Sequence, residues 1–117
     1  MDKNKNPTIE QTFKLAVKNH QEGKTDIAKK LYNQVLKINP ENSSVHNNLG
    51  FLFTELRDYE KAKSYFEKAI ELDPLNKKYM VGYGYILLRL NDKLKGYEYI
   101  DKVEGVIKFT PTYYKII

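Results

Sequence analysis

The chain has 117 residues, with 20 Lys and Arg against 15 Asp and Glu, and a formal net charge of +5. This length suits one domain with a single hydrophobic core. The composition, with 41% hydrophobic and 30% charged residues, is too apolar for a disordered chain. The absence of cysteine excludes disulfides, thiolate nucleophiles and thiolate metal sites.

Neither a targeting signal nor a membrane segment is predicted. The first ten residues contain no apolar core, as a secretory signal would require. The longest apolar run, residues 79–88, is about half of the ~20 residues that a membrane-crossing helix needs. We therefore expect a cytoplasmic protein without membrane insertion.

Helical periodicity begins after a polar N-terminal segment. Thr8 and Gln11 form a predicted capping box for the first helix. Gly23 is placed to end that helix as a left-handed residue. A second helix then runs as far as the Asn39-Pro40 pair, because proline cannot continue the helical hydrogen bonds. These signals predict two antiparallel helices joined by a tight turn.

The next segment has the same organisation. Its apolar residues follow the i, i+4, i+7, i+8 spacing of one helix face, at Val45, Leu49, Leu52, Phe53 and Leu56. Asp58 is placed to cap the second helix of this segment. The Asp73-Pro74 pair closes that helix.

Apolar residues recur with a period of 34 residues over three copies. The period relates Leu15 to Leu49 and Tyr83, Ala28 to Ala62 and Gly96, and Tyr32 to Phe66 and Ile100. In the third copy Gly96 replaces the small alanine, and Lys108 replaces the proline. The small residues Ala16, Gly50 and Gly84 are expected to let paired helices approach closely.

These positions resemble the tetratricopeptide repeat family. Together with the periodicity, the resemblance implies an all-α fold, a right-handed α-solenoid of antiparallel helix pairs. The predicted divisions are a polar N-terminal segment (1–8), three repeats (9–42, 43–76 and a degenerate 77–110), and a last segment (111–117). That last segment is read either as the start of a fourth repeat or as a C-terminal cap.

Catalytic chemistry is not indicated. The sequence has no nucleophile elbow, phosphate loop or dinucleotide fingerprint. Of its two histidines, His46 is expected to pack against the next helix, and His20 lacks flanking carboxylates at metal-ligand spacing. We therefore expect no enzyme, no cofactor, no metal site and no small-molecule substrate.

The resemblance further implies that the first helix of each pair lines a concave, peptide-binding groove. The candidate ligand-binding residues carried over onto this sequence are Phe13, Val17, Asn47, Asn48, Phe51, Lys78, Val81, Tyr85 and Leu88. Other inward-facing positions are His20, Glu55, Gly82 and Arg89. Of the set with which chaperone adaptors of this family hold carboxylates, Asn48 and Lys78 match, whereas Phe13, Val17 and Gly82 do not. A complete carboxylate clamp is therefore not expected.

Two functions follow as hypotheses. The first is a non-catalytic scaffold that binds a peptide or helix of a partner protein in the groove. The alternative is a module that self-associates, as a dimer or filament, through its apolar C-terminal residues 106–117. Nucleic acid binding is disfavoured, because only two of the twenty cations are arginine and no base-contacting set recurs with the repeat.

Overall fold

Six α-helices form three consecutive helix pairs in the computed structural model, which describes residues 7–104. The helices are α1 (Ile9–Gln21), α2 (Thr25–Ile38), α3 (Ser43–Glu55), α4 (Tyr59–Leu72), α5 (Lys77–Arg89) and α6 (Lys93–Glu104). Each odd-numbered helix packs against the helix that follows it, and α3 and α5 also contact the preceding pair. The predicted all-α repeat architecture is confirmed. Lys108 and the predicted segment 111–117 lie outside the described residues.

The turn inside each pair has the same backbone conformation in all three pairs. A left-handed residue occupies the same repeat position, at Gly23 (φ 80°), Arg57 (φ 63°) and Asn91 (φ 72°). The next residue then donates its N–H to the carbonyl five residues earlier. These hydrogen bonds run from Lys24 to Asn19 (2.9 Å), from Asp58 to Phe53 (2.9 Å) and from Asp92 to Leu87 (2.8 Å). This is a Schellman motif, which satisfies the last carbonyls of the first helix. The prediction that Gly23 ends α1 in this conformation is confirmed.

The helix starts and ends also agree with the sequence signals. Thr8 and Gln11 form the predicted capping box. The Gln11 N–H donates to Thr8 Oγ1 at 3.1 Å, and the Thr8 N–H donates to Gln11 Oε1 at 2.9 Å. The Asp58 carboxylate accepts from the Lys61 N–H at 3.3 Å and caps α4. The helices α2 and α4 end one residue before the Asn-Pro and Asp-Pro pairs, as predicted.

The core runs continuously from α1 to α5. Its largest fully buried side chains are Tyr32, Phe66, Leu49, Leu52, Ile86, Leu87, Val35 and Val45. Small residues allow the close approaches that the sequence predicted. A Cβ on Gly50 or Gly82 would lie 2.8 or 2.5 Å from the Phe66 ring, and one on Gly84 would lie 3.1 Å from the Gly96 carbonyl oxygen.

His46 has a structural role, as expected. The side chain is buried, and its Nε2 donates to the Pro40 carbonyl at 2.9 Å. Its ring centroid lies 6.0 Å from that of Tyr65 on the next helix. His46 therefore joins the start of α3 to the preceding turn and to α4.

Candidate functional site

Three depressions adjoin one another on the face formed by α1, α3 and α5. The first, here called the polar cleft, has a volume of about 400 Å³ and is lined by Phe13, Val17, Ser44, Asn47, Asn48, Asn76, Lys78 and Tyr79. The α1–α3 pocket, of about 310 Å³, is lined by Val17, His20, Gln21, Tyr32, Asn48, Phe51 and Glu55. The α3–α5 pocket, of about 330 Å³, is lined by Phe51, Thr54, Phe66, Val81, Gly82 and Tyr85. Because adjacent depressions share lining residues, they form one groove.

The groove brings together all but one of the ligand-binding residues expected from the sequence. Phe51, Val81 and Tyr85 are 40%, 39% and 45% exposed, and together they line one depression. Phe13 and Val17 are half-buried at its opposite edge. Whether these residues bind a ligand remains a prediction.

Leu88 is the exception, and as a ligand-binding residue it stays a prediction. It lines none of the three depressions. Its Cδ2 occupies the space beside Gly96 of α6, only 2.8 Å from where a Cβ of residue 96 would be. The missing side chain at Gly96 leaves a space for Leu88, which packs half-buried against α6.

The α3–α5 pocket presents an apolar surface. The Phe51 ring packs edge-on against Phe66, with centroids 5.2 Å apart. The Thr54 hydroxyl donates to the Gly50 carbonyl at 2.7 Å, so its polar atom is satisfied by the backbone. A pocket of this kind suits an apolar side chain of a ligand.

The α1–α3 pocket lies one repeat earlier along the chain and is more polar. A shift of 34 residues relates His20 to Thr54, Tyr32 to Phe66, Asn48 to Gly82 and Glu55 to Arg89. Tyr32 and Asn48 therefore replace an apolar residue and a glycine, and an acid replaces a base at the rim. The two pockets occupy equivalent places in the solenoid but offer different chemistry.

A hydrogen-bonded chain crosses the α1–α3 pocket. His20 Nε2 lies 2.8 Å from Glu55 Oε1, and His20 Nδ1 lies 3.0 Å from the Tyr32 hydroxyl. Since a carboxylate only accepts, Nε2 donates to Glu55, and with a neutral imidazole Nδ1 accepts from the Tyr32 O–H. Burial raises the pKa of Tyr32 to about 12; Asn48 partly offsets this and the Glu55 carboxylate adds to it. The hydroxyl therefore stays protonated, and the chain joins α1, α2 and α3.

The polar cleft combines amides with a cation. Asn47 is only 4% exposed, and its Oδ1 has no hydrogen-bond partner within residues 7–104. Asn48 and the exposed Lys78 line the same cleft. Phe13 and Val17, at positions where a carboxylate clamp would need polar side chains, form an apolar wall beside them.

Two features of the groove were not predicted from the sequence. The first is its floor, to which Tyr32 and Phe66 of the second helices contribute. The second is the contact between His20 and Glu55, two residues that were expected to face inward. Their separation of 35 residues, one repeat plus one position, is a signal that they face each other on neighbouring first helices.

The part of the chain that the structure describes contains no group of three or more His, Cys, Asp or Glu side chains that could hold a metal ion. None of its helices combines the length and apolar character needed to cross a membrane.

Comparison with known proteins identifies the repeat. Models of the tetratricopeptide repeat family match residues 13–42 and 43–76. No curated protein matches the sequence.

Solved structures share the fold. A mutant of the O-GlcNAc transferase of Thermobaculum terrenum matches with a TM-score of 0.80 and 23% identity, over 85% of this chain and 19% of that one. The MamA RS-1 ArsTM double mutant matches with a TM-score of 0.77 and 21% identity, over 83% of this chain and 55% of that one. The chain thus spans about a fifth and about half of these two proteins, and at such identities the likeness concerns the fold alone.

Proposed function

The chain belongs to the tetratricopeptide repeat family, and on that premise we propose that it is a non-catalytic scaffold that binds a peptide segment of a partner protein. The segment lies in the groove formed by α1, α3 and α5. The polar cleft and the two pockets each receive part of it.

The observation that carries the proposal is the apolar surface of the α3–α5 pocket. Phe51, Val81 and Tyr85 remain about two-fifths exposed, whereas Leu49 and Ile86 on the same helices are fully buried. An exposed apolar cluster inside a depression is stabilised when a partner side chain removes it from water. The groove is preformed by helix packing, which lowers the entropy lost on binding.

The polar cleft complements this pocket. Side-chain amides both donate and accept, so the half-buried Asn48 suits the N–H and C=O groups of an extended backbone, whereas the buried Asn47 would first have to turn toward the cleft. The apolar pocket then supplies affinity, and the amides align the segment.

The test begins with a randomised peptide library displayed on phage and selected against the full chain. The affinity of selected peptides is then measured by fluorescence anisotropy for the wild type and for Tyr85→Ala. We expect Tyr85→Ala to weaken binding about tenfold, because a half-exposed aromatic residue in a pocket is a typical interaction hot spot.

Tyr97→Ala is the matched control. Tyr97 is also 45% exposed and lies on α6, and it lines none of the groove depressions. Equal affinities for Tyr85→Ala and wild type, at equal thermal midpoints, would contradict the proposal. Phe51→Ala is a less clean variant, because it also removes the edge-on contact with Phe66.

A further inference from the structure

We propose that the α1–α3 pocket receives a lysine or arginine side chain of the bound segment. This inference rests on the proposed function and deepens it. It makes the partner a segment with one basic and one apolar residue, each in its own pocket.

The charge of the pocket supports a cationic occupant. Among the described residues that line it, with histidine counted as neutral, Glu55 is the one with a formal charge. Its side chain is 60% exposed, so the carboxylate is open to a ligand. A carboxylate attracts an ammonium or guanidinium group and accepts hydrogen bonds from it.

The carboxylate is also held in position. His20 Nε2 donates to Glu55 Oε1 at 2.8 Å, and His20 is itself oriented by the buried Tyr32. This bond uses Oε1 and leaves Oε2 available for a ligand. A group held in this way loses little conformational freedom on binding.

The walls of the pocket suit the rest of a basic side chain. Val17 and Phe51 offer apolar surface to the methylene stem, which long basic side chains bury while the charge stays near water. The amide oxygens of Gln21 and Asn48 can accept hydrogen bonds from the cationic head.

The neighbouring pocket disfavours a basic residue and so determines the order of the two side chains. Arg89 holds the repeat position that Glu55 holds in the α1–α3 pocket. Its guanidinium lies 5.6 Å from the centroids of both the Tyr59 and Tyr85 rings, at the edge of the α3–α5 pocket. Repulsion from Arg89 directs a basic residue away from that pocket, and attraction to Glu55 directs it to the α1–α3 pocket.

The repeat geometry also gives an expected spacing. Packed helices lie roughly 8–10 Å apart, and the two pockets are one repeat step apart. In a polyproline II segment, three residues span about 9 Å and place side chains on one face. We therefore expect the basic and apolar residues to be three positions apart.

The test uses the peptides selected on the wild-type chain. We expect them to share a lysine or arginine, and replacement of that residue by neutral citrulline or norleucine to weaken binding about fivefold, as for a partly exposed ion pair. Glu55→Gln is expected to weaken the binding of the original peptide by about the same factor. When the neutral peptide is combined with Glu55→Gln, the affinity should fall no further than with either change alone. Glutamine keeps an acceptor for His20, so the fold is retained.

Glu98→Gln is the matched control, since Glu98 is exposed on α6 and the change in net charge is the same. A complementary selection on Glu55→Lys is expected to yield peptides with an acidic residue in place of the basic one. Peptides that depend on Tyr85 but carry no basic residue, or that bind Glu55→Gln as tightly as wild type, would overturn this inference and leave the scaffold proposal standing. If no peptide is selected at all, the scaffold proposal itself fails.

Discussion

The Phe66 ring shows how packing overrides helix propensity at single residues. It lies against Gly50 and Gly82, where glycine costs roughly 1 kcal/mol relative to alanine inside a helix. A Cβ at residue 82 would nevertheless lie 2.5 Å from Phe66 Cε1. The ring is almost completely buried, so it has little room to move aside.

We expect Gly82→Ala to lower the free energy of unfolding by about 1–3 kcal/mol, because overpacking exceeds the gain in helix propensity. Urea denaturation followed by circular dichroism measures the change. In a Phe66→Leu background the cost of Gly82→Ala should shrink, since the smaller side chain leaves space for the methyl group. A neutral or stabilising Gly82→Ala in the wild-type background would mean that the ring adjusts freely.

At the scale of helices, the three pairs share one turn geometry but not one cap. Asp58 and Asp92 accept hydrogen bonds from backbone N–H groups at the starts of α4 and α6. Lys24 holds the same position before α2 and makes no such bond. Its backbone (φ −88°, ψ 71°) is nearly that of Asp58 (φ −95°, ψ 78°), so an aspartate there could cap α2 without rearrangement.

Lys24→Asp is therefore expected to stabilise the chain by about 1 kcal/mol, helped by the favourable interaction of an acid with a helix N-terminus. The loss of the exposed Lys24–Glu22 ion pair at 3.4 Å costs little. Thermal and urea midpoints measure the effect. Lys24→Ala removes the same ion pair without adding a cap, so equal midpoints for the two variants would show that no cap forms.

At the scale of the whole molecule, burial is unequal along the solenoid. The helices α1 and α3 have the same length of 13 residues, but two residues of α1 are buried against seven of α3. The helix α3 packs between neighbours on both sides, as expected for a central element of a repeat protein. The free energy of local unfolding should therefore differ between helices, according to how much buried surface each one shares with its neighbours.

We expect the backbone amides of α3 to exchange with deuterium more slowly than those of α1, because opening α3 exposes core on two sides. Hydrogen exchange followed by NMR or mass spectrometry, corrected for intrinsic rates, tests this. The two helices provide an internal control, since they occupy equivalent places in successive repeats. Equal protection would indicate that the chain opens only as one cooperative unit.

The amino-acid sequence alone was enough to predict the repetition of helix pairs and most helix ends of the first two pairs. These features depend on local chemistry: a proline after α2, a left-handed glycine at residue 23, a capping box at Thr8, and apolar residues in helical phase. A 34-residue period then implies stacked pairs, because each pair leaves an apolar face that only a neighbour can cover. Stacking of the pairs also indicates which residues face the groove, and eight of the nine expected residues do line the groove.

What each groove residue contacts became clear from the packing of the helices. The sequence placed Leu88 beside the groove, and the structure shows that its side chain also packs against Gly96 of α6. It assigned His20 no partner, yet helix packing brings Tyr32 and Glu55 within hydrogen-bond distance. Periodicity specifies the face of a helix on which a residue lies, whereas side-chain contacts depend on the distance and angle between helices, which packing of the whole core sets.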